Sequence, residues 1–264
     1  MNVMERNNVK VSGRGEKTII FAHGFGCDQL VWKEVIEEFK ADYQVITFDY
    51  VGSGLSDRQS YSPERYNSLH GYKQDLLEVC AAIEGEDHIF VGHSVSSMIG
   101  MLAAIEKPEL FTKLIMIGPS PYYMNEPGYQ GGFDKGDINE LLDMMEVNYM
   151  EWAKSLAPVV MRNEDRPELA EDFEQLLCSN DPLVARQFAE VTFTSDMRSE
   201  LEKLTVPTLI MQTQFDAIAP LEVGQYVHEH IQESRLVVME AMGHNPHISD
   251  AAETVAVIKD YLAE

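Results

Sequence analysis

The sequence predicts an α/β protein with a mostly parallel central sheet and helices on both of its faces. Two observations carry this expectation. Short, nearly all-apolar runs recur along the chain, as strands buried on both sides require. Helix-like segments separate them, and strand–loop–helix repetition is the rhythm of parallel strands joined by crossovers. With 264 residues and 45% hydrophobic content, the chain suffices for one large domain with a substantial core.

The first run is "KTIIFA" (17 to 22), which stops at the glycine-rich turn "HGFG". "YQVITFD" (43 to 49) follows and stops at "YVGSGLSD". Residues 88 to 91 form a third run, ending at Gly92, and "KLIMIG" (113 to 118) a fourth. "PTLIMQT" (207 to 213) and "RLVVMEAM" (235 to 242) are the fifth and sixth. Segments 64 to 83 and 97 to 106 read as helices between them.

From about residue 121 to 195 this rhythm breaks. "PSPYYMNEPGYQGGF" is rich in turn formers, and four helical segments follow with no strand between them. Ile138, Leu141, Leu142, Met145 and Tyr149 share one face of the first at helical spacing. Trp152, Leu156, Val159 and Val160 do so in the second, and Leu169, Phe173, Leu176 and Leu177 in the third. The fourth carries Val184, Phe188 and Val191, and Pro167 and Pro182 mark helix starts. We expect 121–195 to be a helical lid inserted into a core domain made of 1–120 and 196–264. The alternative is an ordinary part of the helical layer.

There are 44 acidic against 20 basic residues, a net charge of -24. Such a surface repels polyanions, which argues against nucleic acid and anionic membranes as partners. "MNVMERNNVK" has no apolar core segment of a signal peptide, and no run approaches the ~18 apolar residues of a membrane span. Cys27, Cys80 and Cys178 are odd in number and widely spaced. They fit a reducing cytoplasm better than a disulfide framework or a zinc site. We expect a cytoplasmic monomer without metal or cofactor.

The chemistry centres on "HIFVGHSVSSMIGMLAA" (88 to 104), where Ser94 stands between a strand and a helix. A nucleophilic serine needs a base for its proton, and the base needs a carboxylate to fix its tautomer. In the α/β-hydrolase arrangement these come in the order Ser, acid, His, each at the C-terminal end of a strand. Asp216, in "LIMQTQFDAIAP", and His244, in "VVMEAMGHNPHIS", meet both conditions. His247 is the rival base. Asp49 also ends a strand but precedes the serine, while His228 and His230 read as solvated. The oxyanion hole needs two backbone N–H groups, expected from Val95 and from Phe25 in "HGFG", whose plainer reading is a tight turn. The usual elbow is Gly-x-Ser-x-Gly; here Ser96 replaces the second glycine, and we expect the elbow to tolerate it.

At these residues the chain resembles a known family. "GFGCDQ", "FDYVGSG", "VGHSVSSMIG", "KPELF", "GPSPYYMN", "YQGGF", "NYMEWA", "ARQFAEVTFTSDMR" and "VPTLIMQ" are similar to the RsbQ family of bacterial sigma-B stress regulators and to its plant relatives, the karrikin and strigolactone receptors. The elbow "HSVS" follows the plant form, whereas "GCDQ" and "FDYVGSG" lean towards the bacterial one. The resemblance spans nearly the whole chain. It implies an α/β-hydrolase core with a V-shaped four-helix lid and a triad mapping onto Ser94, Asp216 and His244. It also places Phe25, Tyr123, Phe133, Trp152, Leu156, Phe193 and Ile218 around the ligand. It further implies a small hydrophobic ligand and a regulatory, phosphatase-like protein partner.

Two functions follow as expectations. One is a serine hydrolase, esterase- or lactonase-like, acting on a small neutral hydrophobic ester or lactone in signalling or stress regulation. The other is a receptor with slow or no turnover that signals through a protein partner. An epoxide hydrolase or dehalogenase needs Asp at position 94 and fails on that residue.

Overall fold

Side-chain alternation within the apolar runs sets the layers. In "KTIIFA" Ile19 and Phe21 pack on one face of the sheet, Ile20 and Ala22 on the other. The same alternation separates Phe90 from Ile89 and Val91, and Ile210 from Leu209 and Met211. The computed structural model describes residues 2–83, 85 and 87–264.

The sheet has seven strands: β1 (Lys10–Gly13), β2 (Lys17–Ala22), β3 (Tyr43–Phe48), β4 (His88–His93), β5 (Phe111–Ile117), β6 (Thr208–Thr213) and β7 (Ser234–Met239). Their order is β1-β3-β2-β4-β5-β6-β7, and all neighbours are parallel except β1 with β3. Six strands lie where the apolar runs predict them. The seventh, β1, was not expected: it is short, and none of "KVSG" is buried, so it gives no apolar signal.

The helices are α1 (Val3–Arg6), α2 (Lys33–Glu37), α3 (Leu69–Ala82), α4 (Val95–Glu106), α5 (Lys135–Val147), α6 (Tyr149–Met161), α7 (Pro167–Cys178), α8 (Pro182–Thr194), α9 (Leu221–His230), α10 (Pro246–Ser249) and α11 (Ala251–Leu262). α3, α4 and α9 cover one face of the sheet, α2 and α11 the other. The expected helix from residue 64 starts later, at Leu69, behind Ser68 at its N-cap. Among the described residues no helix is long and apolar enough to cross a membrane.

α5 to α8 share a third hydrophobic cluster, joined to the core by Cys27, Tyr123 and Ile218. Pro167 and Pro182 both occupy the first helical position, where the missing N–H costs nothing. Below them, β2 is followed by β3 on one side while β4 lies on the other. The strand order therefore reverses between β2 and β4, the place where ligands gather in open α/β sheets. The C-terminal ends of these two strands carry "HGFG" and Ser94.

Candidate active site

β4 runs directly into α4, and the residue at the corner is Ser94, with φ 55° and ψ −122°. A non-glycine residue in that region carries strain on the order of 1–3 kcal/mol. Its N–H donates to the carbonyl of Ile117 on the adjacent β5 at 2.8 Å, which fixes the corner.

Three expected residues meet there. Ser94 Oγ lies 2.8 Å from His244 Nε2, and His244 Nδ1 lies 2.6 Å from Asp216 Oδ2. Asp216 is held by its other oxygen, which accepts from the N–H groups of Ile218 (2.7 Å) and Ala219 (3.0 Å). All three are buried. A carboxylate so placed selects the Nδ1–H tautomer and leaves Nε2 free to accept the serine proton. His93 Nε2 donates to the carbonyl of His244 at 2.8 Å, bracing the loop from below.

The loop carrying His244 is also tied from above. The N–H of His244 donates to the carbonyl of Val160, at the end of α6, at 2.8 Å. Gly243 makes the approach feasible: its φ is +80°, and a Cβ there would stand 2.3 Å from the carbonyl oxygen of Met161.

Of the expected oxyanion donors, Val95 opens α4, a position whose N–H has no partner within a helix. No acceptor for the N–H of Phe25 is found among the described residues. Ser96 does more than fit. Its hydroxyl donates to the carbonyl of His23 at 2.5 Å and lies 2.9 Å from the Tyr50 hydroxyl. His23 is locked in turn, with Nδ1 donating to the Gly24 carbonyl (2.9 Å) and Nε2 accepting from the Tyr50 N–H (3.2 Å). Close passage of strand and helix falls to Gly92, where a Cβ would stand 2.7 Å from the Ser96 carbonyl. The second elbow glycine is therefore dispensable here.

The rival residues sit elsewhere. His247 is buried between Trp32 and His93, ring centroids 4.4 and 4.3 Å away, and neither ring nitrogen has a partner among the described residues. Burial, aided by nearby His244, pushes its pKa down to about 3. Asp49 accepts from the N–H groups of Gln29 and Leu55 and serves the turns around it. His228 is exposed and His230 half-buried, both away from Ser94.

Above Ser94 lies a chamber of about 30 Å³ whose lining includes Phe25, Tyr123, Leu156, Phe193 and Ile218. Val160, Phe173, Leu177 and Thr192 complete its roof, with His93 and Asn245 at its floor; none of these six was anticipated as lining. Phe133 and Trp152 do not reach it. They stand one layer back, Trp152 edge-on to Phe25 at 6.1 Å and Phe133 edge-on to Phe193 at 6.0 Å. Tyr123 Oη is 3.4 Å from Ser94 Oγ, and burial raises its pKa to about 12, so it stays a hydrogen-bond donor. No lining residue is cationic. Among the described residues there is no cluster of side chains able to hold a metal ion.

Comparison with known proteins identifies the family. The alpha/beta hydrolase family matches residues 19–257. The karrikin insensitive 2 receptor CA of Petunia hybrida is 37% identical over 257 residues, covering 97% of this chain and 95% of its own. The strigolactone esterase RMS3 of Pisum sativum is 38% identical over 249 residues, covering 94% and 93%. The solved structure of a hydrolase from Oleispira antarctica is 42% identical and superposes with a TM-score of 0.97, covering 100% of this chain and 97% of its own.

Proposed function

The chain belongs to the alpha/beta hydrolase family, and we propose that within it this protein is a serine hydrolase of small, neutral, hydrophobic esters or lactones. The observation that carries the reading is the unbroken line from Asp216 through His244 to Ser94, with steps of 2.6 and 2.8 Å, beneath an apolar chamber. Ser94 Oγ attacks the substrate carbonyl as its proton passes to His244 Nε2, and Asp216 stabilises the imidazolium. The N–H groups of Phe25 and Val95 hold the developing oxyanion. His244 returns the proton to the leaving oxygen, then activates water to release the acid from Ser94. The absence of lysine or arginine from the chamber lining favours uncharged substrates over anions.

In this reading 121–195 acts as a lid over the core formed by 1–120 and 196–264. A chamber of about 30 Å³ has room for about one water, far below the ~300–1,000 Å³ of ordinary ligand pockets. The lid must therefore move before substrate binds. That favours a second role beside the first: turnover limited by lid motion, with a protein partner reading the lid's position. The relatives named as receptors support this role, and a phosphatase-like partner remains part of the proposal.

The test is pre-steady-state hydrolysis of aryl esters and butenolides by the purified protein. A burst of alcohol and acid, one of each per protein, followed by a slower phase set by lid opening to release the acid, is the expected result, and acyl-Ser94 trapped by acid quench within the burst marks the nucleophile. Linear release from the first turnover would defeat lid limitation. An active Ser94→Ala variant would defeat the serine assignment.

A further inference from the structure

A second cavity is far larger than the chamber over Ser94. A groove of about 650 Å³ lies outside the chamber, between α7 and the segment that joins β2 to α2. Leu30, Val31, Leu169, Leu176 and Ile248 give it apolar walls, and buried His247 adds an unpartnered ring to its lining. Phe173, in the middle of α7, is the one side chain among the described residues that lines both groove and chamber.

α7 packs against α6 through Phe173 and Leu177, and its hydrogen bonds to the rest of the molecule lie near its ends, one of them from the Tyr149 hydroxyl to the Leu177 carbonyl at 3.0 Å. Arg166, just before it, donates to the Ser249 carbonyl at 2.7 Å, and Asn180, just after it, donates to the Gly26 carbonyl at 2.9 Å. Between Pro167 and Leu176 no side chain hydrogen-bonds outside the helix, among the described residues. Two other walls of the chamber carry ties that Phe173 lacks. Val160 is tied to the His244 loop, and Phe25 packs edge-on against Phe188 and Phe193 at 5.8 and 6.2 Å. Phe173 has no aromatic partner among the described residues.

We infer that the groove is the route by which a neutral ester reaches Ser94, and that Phe173 is the gate whose swing sets the size of acyl group admitted. The inference rests on the reading of Ser94 as nucleophile. The groove has the volume the chamber lacks and touches it at one ring. Its charged lining, Asp28, Glu34 and Asp172 against Lys33, disfavours anions, while its apolar walls suit an uncharged hydrophobic molecule.

The test is the rate of covalent labelling of Ser94 by two fluorophosphonates, one with a small alkyl arm and one with a bulky aryl arm. Phe173→Ala should raise the ratio of the bulky-probe rate to the small-probe rate about tenfold, since pocket walls discriminate size by this order. Leu30→Trp places its bulk on an exposed groove residue remote from the triad, so it tests the route even if Phe173→Ala folds poorly. It should slow the bulky probe about tenfold, by the same size discrimination. A labelled wild-type protein whose rates are indifferent to both substitutions overturns the route alone. A folded wild-type protein that neither probe labels overturns the nucleophile reading, and the route with it.

Discussion

The hydroxyl of Ser96 reaches back from the first turn of α4 to the carbonyl of His23, 2.5 Å away, and so fastens the elbow to the turn that presents the Phe25 N–H. Removing a whole oxyanion donor costs roughly 10²–10³ in kcat; loosening one should cost less, roughly tenfold. Ser96→Gly, which restores the common esterase pattern, should therefore lower kcat with KM nearly unchanged. Steady-state kinetics on an aryl ester decide it, and a kcat equal to wild type would mean that the bond only fills space.

The corner at Ser94 stores backbone strain that glycine would release. At an unstrained position glycine is less stable than alanine by roughly 0.5–1 kcal/mol. Here the order should reverse, with Ser94→Gly unfolding at higher urea than Ser94→Ala by an amount on the order of 1 kcal/mol. Both variants should be inactive. Equal or inverted midpoints would show that the corner is not strained.

Asp216→Asn keeps the shape of the carboxylate but no longer selects the Nδ1–H tautomer of His244. We expect kcat to fall by roughly three to four orders of magnitude with the fold preserved. His244→Ala should be as damaging, and His247→Phe should retain most activity. Retention by His244→Ala with loss in His247→Phe would exchange the two histidines' roles.

His247 also governs acid stability. Its pKa is held near 3 in the fold, against an ordinary 6.5, because burial disfavours the charged ring. Below pH 6.5 the unfolded chain takes up a proton that the folded chain refuses. Stability is thus complete above about pH 6.5 and is lost towards pH 3, with a slope of up to ~1.4 kcal/mol per pH unit. His247→Phe removes this proton, so its denaturation midpoint should fall less steeply between pH 6 and 4. An identical slope would show that the loss comes from other groups, such as His93, whose pKa burial also pushes well down.

What the sequence made legible follows what burial demands of it. Six strands are buried on both faces and show as apolar runs; β1 pairs at the edge with no buried residue and is silent. Ser94, Asp216 and His244 were readable because each follows a strand end, and the structure brings them within hydrogen-bond reach of one another. The chamber was read less well. Trp152 and Phe133 have the right chemistry and lie close by, but a helical period does not say which ring on an apolar face looks into a cavity and which backs it. Phe173 and Leu177 were recognised as the apolar face of their helix without being given to the site. Ser96 looked like a gap in a motif because its partner, the His23 carbonyl, lies 73 residues away and is brought there only by the pairing of β2 with β4.

The bond from the His244 N–H to the Val160 carbonyl ties the roof of the chamber to the histidine we propose as base. A roof transplanted from a relative could match every contact with substrate and still lower activity, if its second helix ended half a turn early. The base would then lose its register with Ser94 although no residue near the chemistry had changed. Specificity in this scaffold is therefore easier to vary through α7, away from that joint, than through α6.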